Sequence, residues 1–167
     1  MVFDNFNLPP TTIMHNGFFD SAALTNAIRD WYAKNDYFVQ VPSYRQEYQE
    51  AGKKYEQKWE GNKKITEYVR YHVNVMVNVH HLNEVEVIKD GQKIKTSEAR
   101  VIVQVSPKLE LDWQDRFKGK KFVKWLDKFF REHILKYKIG DYWEDMALIE
   151  GVNMAQVIRE ALGVEIR

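Results

Sequence analysis

The chain contains no cysteine. Disulfides, thiolate zinc sites and thiol nucleophiles are excluded together, and the absence fits a reducing compartment. The first residues, Met1-Val-Phe-Asp-Asn-Phe, have neither the basic start nor the apolar stretch of a secretory signal. No apolar run approaches the ~18–20 residues that a membrane span needs. The expectation is therefore a soluble cytoplasmic protein with no membrane partner. Charge of one sign is missing as well: 25 Lys and Arg stand against 24 Asp and Glu. A net charge of +1 leaves no global field to steer the chain toward nucleic acid. The sequence has no Gly-rich phosphate loop, no G-x-S-x-G elbow, no H-E-x-x-H pair and no EF-hand loop. Repeats, low-complexity tracts and linkers long enough to divide domains are also absent, so residues 1–167 are read as one domain.

What is present is apolar and aromatic. Trp, Tyr and Phe make up 14% of the chain, enough to fill a sizeable core and to exclude a disordered protein. Residues 1–19, with Pro9-Pro10, read as an extended N-terminal arm lying on the body. A helix is expected over Ser21–Lys34, capped by Asp20 or Ser21 and stopped at Asn35, with Leu24, Ala27, Ile28 and Trp31 as its buried stripe.

Strands follow. The first covers about 38–49 and contains Pro42, which confines it to an edge or a bulge. The second covers about 55–60. The third is the clearest element: Val69, Tyr71, Val73, Val75, Val77 and Val79 alternate with Arg70, His72, Asn74, Met76, Asn78 and His80, the mark of a strand with one face buried. A short fourth strand is expected over 84–88. The fifth covers 93–113, with Ala99, Val101, Val103, Val105, Leu109, Leu111 and Trp113 on its buried parity and a break near Ser106-Pro107. All the buried parities are odd, those of Trp59 and Ile65 and of Val85 and Val87 included. An odd number of loop residues joins odd to odd, so three-residue loops are expected at Gly61-Asn62-Lys63, His81-Leu82-Asn83 and Lys89-Asp90-Gly91.

A second helix is expected over 120–138, with Phe122, Trp125, Leu126, Phe129, Phe130, His133, Ile134 and Tyr137 on one face and a charged opposite face. Gly140 closes it. A third opens on the capping-box spacing Asp141 to Glu144 and runs toward Leu162. The fold class expected is α+β: an antiparallel β-meander of about five strands, with an N-terminal helix and two C-terminal amphipathic helices packed on one face.

Candidate sites divide into ordinary features and one unusual surface. His72 and His80 share a strand face but stand ~26 Å apart at ~3.3 Å per residue, so they bind no common metal. His80 and His81 point to opposite faces, and His133 sits on an apolar stripe as a core histidine would. Asp141, Glu144 and Asp145 occupy a helix's first turn, where acids serve the cap and the dipole. The doublets Lys53-Lys54 and Lys63-Lys64 and the run Lys118–Lys121 have aromatics nearby, as single-stranded nucleic-acid binders do. They fall at opposite ends of a meander, however, and lysine also protects strand edges.

The even-numbered sheet face is different. Arg70, His72, Asn74, Asn78, Arg100 and Gln104 donate and accept in several directions, Met76 packs adaptably beside them, and Glu84 and Glu86 are expected to lie alongside. No catalytic residue, metal ligand or cofactor is assigned. The leading reading is a non-enzymatic protein-interaction or assembly module that presents this face to another protein, a second copy of the chain included. The alternatives are two. One is a small-ligand-binding domain with a cavity between sheet and long helix, whose order of elements resembles helix-grip folds in topology alone. The other is a single-stranded nucleic-acid binder or an enzyme with a dispersed site.

Overall fold

A computed structural model describes residues 5–40, 43–115, 121–133 and 142–164. The elements are β1 (Asn5–Asn7), β2 (Thr11–Phe19), α1 (Ser21–Lys34), β3 (Phe38–Val39), β4 (Ser43–Gln49), β5 (Gly52–Lys64), β6 (Val69–Lys89), β7 (Gln92–Leu111), α2 (Lys121–His133) and α3 (Glu144–Leu162). The architecture is α+β, with seven strands in one antiparallel sheet rather than five. The extra strands come from two places. The N-terminal arm is itself β-structured, β2 and β1 pairing in turn along the outer edge of β7. The segment expected as one strand over 38–49 is two, β3 and β4, which both pair with β5. Pro42 lies outside the described residues.

β6 and β7 form one long hairpin instead of three shorter strands. Lys89 pairs with Gln92, so the turn is the two residues Asp90-Gly91. Both have positive φ, 53° and 79°, as a type I′ hairpin requires. The three-residue loop expected at 89–91 is thereby corrected, because the twist of a two-residue primed turn matches that of its strands. The loop expected at 81–83 is also absent. There β6 carries a β-bulge: His80 pairs with Arg100 and Asn83 with Glu98, three steps against two. The extra residue leaves His81 at φ 55°. Gly61-Asn62-Lys63 lies inside β5, and the chain turns at residues 65–68. Thr66 organises that turn, its hydroxyl accepting from the N–H groups of Tyr68 and Val69.

β7 does not break at Pro107, which stays in register opposite Val73. The Leu8 N–H donates to the Pro107 carbonyl at 3.1 Å, so the proline's donor-less edge faces the gap between β2, whose pairing starts at Val105, and β1, whose pairing ends at Lys108.

The odd face of the sheet is the core. Val73, Val75, Val77, Val79, Val101, Val103 and Val105 are buried beneath Leu24, Ile28, Trp31 and Tyr32 of α1 and Met154, Ala155, Ile158 and Leu162 of α3. Two glycines let the helices sit this close. A Cβ on Gly61 would lie 2.3 Å from the Tyr32 ring, and one on Gly151 would lie 2.9 Å from Pro107. α1 begins and ends as its sequence requires: Asp20 accepts from the N–H groups of Ala22 and Ala23, and Asn35 is the C-cap. α2 joins the body at the end of the sheet, through Tyr68. Ile134, Tyr137, Gly140 and Asp141, expected to finish α2 and cap α3, lie outside the described residues. Among the described residues no helix is long and apolar enough to cross a membrane.

Candidate functional site: the open face of the sheet

Strand alternation places Arg70, His72, Asn74, Asn78, Arg100 and Gln104 on one face, opposite the valine core. Antiparallel register then sets their neighbours. Glu60, Asn74 and Ser106 form one row; Lys58, Met76, Gln104 and Thr12 the next; Glu56, Asn78, Ile102 and Met14 the next; and His80, Arg100 and Asn16 another. Every one of the six is partly accessible, the surface expected of an antiparallel sheet solvated on one side.

At one end the face is charged and cross-linked. His72 Nε2 lies 2.7 Å from Glu110 Oε2, and the Arg70 guanidinium stands 3.5 Å from the same oxygen. Trp113, expected on the buried parity of the fifth strand, lies instead just past the end of β7 and covers this corner, with Arg70 4.2 Å and Lys64 4.6 Å from its ring centroid. Loss of hydration pulls the His72 imidazole below its ordinary pKa, and Lys108 and Arg70 add to this while Glu110 opposes it. His80, at the other end, is also lowered, first by lost hydration and then by Lys54, His81 and Arg100. Neutral imidazoles at both ends can donate and accept, which suits contacts to amides and carboxylates.

The far end is apolar, a property the alternation of β6 alone conceals. The bulge at His81 reverses the parity of β6, so Val85 and Val87 stand opposite Thr96 and Ile94 on the open face. Glu84 and Glu86, expected on this face, turn to the other side, and Val85 and Val87 leave the core parity expected of them. On the edge strand β2, Met14 and Phe18 are 61% and 55% exposed and share the open face with Ile102 and Met76. Glu110, Lys108, Trp113, Met14 and Phe18 were not among the expected site residues. Met14 and Phe18 were hidden because apolar residues occupy both parities of β2, erasing its alternation.

The six expected residues therefore share a plane, not a pocket. Arg100 pairs with His80, so it stands ~26 Å along the strands from His72 at ~3.3 Å per residue. No reacting atom could touch both. Among the described residues no three His, Asp or Glu are grouped to hold a metal ion. A second polar cluster lies on the helix side. The Tyr37 hydroxyl donates to Glu150 of α3 at 3.0 Å, with Lys63 3.6 Å from the same carboxylate. Burial, then Glu150, pushes the Tyr37 phenol well above its usual range, so it stays a donor that latches α3 to the body. The space between sheet and helices is filled by side chains such as Tyr32, Ile28, Met154 and Ile158. A groove of about 460 Å³ opens instead between α1 and α3, lined by Trp31, Asp30, Lys34, Asn153 and Glu160 among others. The chain matches no known family and no curated protein.

Proposed function

We propose that the chain is a non-enzymatic assembly module that binds protein through the open face of its sheet, and that a second copy of the chain is the partner. The observation that carries this reading is the composition of the face. It mixes both charges in adjacent rows, Glu56, Lys58 and Glu60 on β5 with Arg70, Arg100, Lys108 and Glu110 on β6 and β7. A single-signed partner such as nucleic acid gains little from such a surface, whereas a copy turned about a two-fold axis meets complementary charges. Its apolar end, Met14, Phe18, Ile102, Val85, Val87 and Ile94, supplies area that water solvates poorly.

The size fits. Five strands at ~4.8 Å and ten residues at ~3.3 Å give a footprint of roughly 800 Å², the per-partner area of a standard stable interface. Two such faces would stack ~10 Å apart with strands nearly aligned.

Sedimentation equilibrium and light scattering test the reading. The wild-type chain should run at about twice its 19.9 kDa mass. The variant His72→Ala/Asn74→Ala/Arg100→Ala and the variant Met14→Lys/Phe18→Lys should both be folded monomers. A wild-type monomer at ~100 µM, far above the Kd of an interface this size, refutes self-association. A dimer that survives both variants refutes the face.

A further inference from the structure

We propose that β2 is a second docking edge, where the strand of one copy pairs antiparallel with the β2 of another and continues the sheet across both. The first observation is the direction of its main-chain groups. The Leu8 N–H donates to the Pro107 carbonyl, so the odd residues of β7 turn their N–H and C=O groups toward β2. The register sets Val101, Val103 and Val105 opposite His15, Ile13 and Thr11, which answer them. Thr12, Met14, Asn16 and Phe18 therefore send theirs outward, and among the described residues no strand pairs with that side. The Phe18 carbonyl bears this out: it accepts from His15 Nε2 at 2.8 Å, a bond made outside the sheet.

The second observation is the lack of protection. Exposed sheet edges are guarded by charge, proline, a bulge or shortness. The rest of this sheet's rim follows the rule. β4, the opposite edge, carries Arg45 and Glu47, joined at 3.2 Å. The outer rims of the long hairpin carry Glu84, Glu86, Lys93 and Lys95, and β1 and β3 are only three and two residues long. β2 has no charged residue and no proline from Thr11 to Phe19, and its register against β7 runs without a shift.

The sequence of β2 points to a second copy as the occupant, because it is complementary to itself about Asn16. In a two-fold antiparallel pair centred there, Asn16 faces the partner's Asn16 and Met14 faces the partner's Phe18. Met14 and Phe18 are 61% and 55% exposed in the single chain; opposed, a thioether and a ring cover each other. On the other face His15 meets the partner's Gly17, where no heavy atom lies within 4 Å of the place a Cβ would take. The residues with outward main-chain groups fall opposite one another, as a hydrogen-bonded antiparallel pair requires. Moving the centre to His15 keeps that bonding but sets His15 against the partner's His15 and Met14 against the partner's Asn16. Residues 13–19, at ~3.4 Å each, make a contact ~24 Å long and one strand deep, in the class of weak interfaces below ~1,200 Å². It is a concentration-dependent contact, additional to the stacking of open faces, and it lays two such faces side by side.

Because the chain has no cysteine, one introduced thiol reports the contact. Asn16→Cys stands opposite its own copy at a Cα separation of ~5.5 Å, within disulfide reach, whereas sheets stacked ~10 Å apart are beyond it. With oxidised glutathione, Asn16→Cys should form a covalent dimer about tenfold faster than His15→Cys or Thr12→Cys. The same is expected when His72→Ala/Asn74→Ala/Arg100→Ala is added, which separates this contact from the face contact that the triple variant removes. Met14→Pro deletes an outward N–H and no bond to β7, so it should slow the linkage about tenfold with a cooperative melt retained. Equal linkage rates at positions 12, 15 and 16 overturn the proposal, as does loss of linkage in the triple variant or unchanged linkage with Met14→Pro. So does a chain that stays unlinked while an alternating Thr-Val heptapeptide protects the Met14 and Phe18 amides from hydrogen exchange, which would make the edge a peptide site.

Discussion

Gly61→Ala adds one methyl group where the structure has no room for it. The new Cβ would stand 2.3 Å from Tyr32 Cε1 and 2.8 Å from Cδ1. Tyr32 cannot swing outward cheaply: it is 1% exposed, packed edge-on to Trp31 and stacked on Trp59. Its hydroxyl donates to the Val73 carbonyl at 2.7 Å. Overpacking of this kind costs ~1–3 kcal/mol. Pulling the hydroxyl off a buried carbonyl costs ~1–3 kcal/mol more. Against that, alanine restricts the unfolded chain and returns ~0.4–1 kcal/mol. The net loss is ~3 kcal/mol, or ~6–12 °C in melting temperature for a domain of this size. Urea unfolding followed by tryptophan fluorescence measures it. In a Tyr32→Leu background the methyl has space, so Gly61→Ala should cost at least ~1 kcal/mol less there. A Gly61→Ala variant within ~0.5 kcal/mol of wild type, or one with equal cost in both backgrounds, refutes the close packing of α1 on β5.

Val75→Asp puts a carboxylate between Trp59 and Val105 in the core, at a cost of several kcal/mol; no cooperative melt is expected, and a soluble, cooperatively melting variant would contradict the buried face. Asp20→Ala removes the acceptor for two helix N–H groups and should lower stability by ~1 kcal/mol, read as a melting shift with helix content retained. Gly91→Val should destabilise by ~1–2 kcal/mol while Gly91→Asn stays mild, since only the latter tolerates the left-handed region; equal effects in thermal melts would rule out the primed turn. His72 titrates below the ordinary 6.5 in the folded state, chiefly through lost hydration, with Lys108 and Arg70 adding to it and Glu110 opposing. Its contribution is thus complete above the unfolded pKa and lost as pH falls through the lower folded one. His72→Gln should flatten the fall of melting temperature between pH 7 and 5, and an unchanged slope would show that the imidazole is not desolvated.

What could be read from the residues was whatever is decided locally. The limits and caps of α1 follow from Asp20, the Leu24–Ile28–Trp31 stripe and Asn35. The alternation from Val69 to Val79 needs no partner strand to be recognised, and it brought the six candidate residues to one face. What escaped depends on a partner. Parity requires an odd number of extra residues between the buried runs of β6 and β7, and it is silent on where they go. Three-residue loops satisfy it, and so does a two-residue turn with one bulged residue upstream. The second arrangement wins because Asp90-Gly91 forms a primed turn that fits the strand twist, and because β5 and β7 flank β6 on both sides at His81 and keep it in the sheet there. That choice has a consequence beyond topology. With a three-residue loop Val85 and Val87 would face the helices; with the bulge they face outward beside Ile94. The attachment of α2 is of the same kind, since its amphipathic pattern does not say which residue meets the body. Tyr68, fifty-nine residues from Asp127, decides it. The apolar end of the sheet thus owes its exposure to a register choice set by strands distant in sequence.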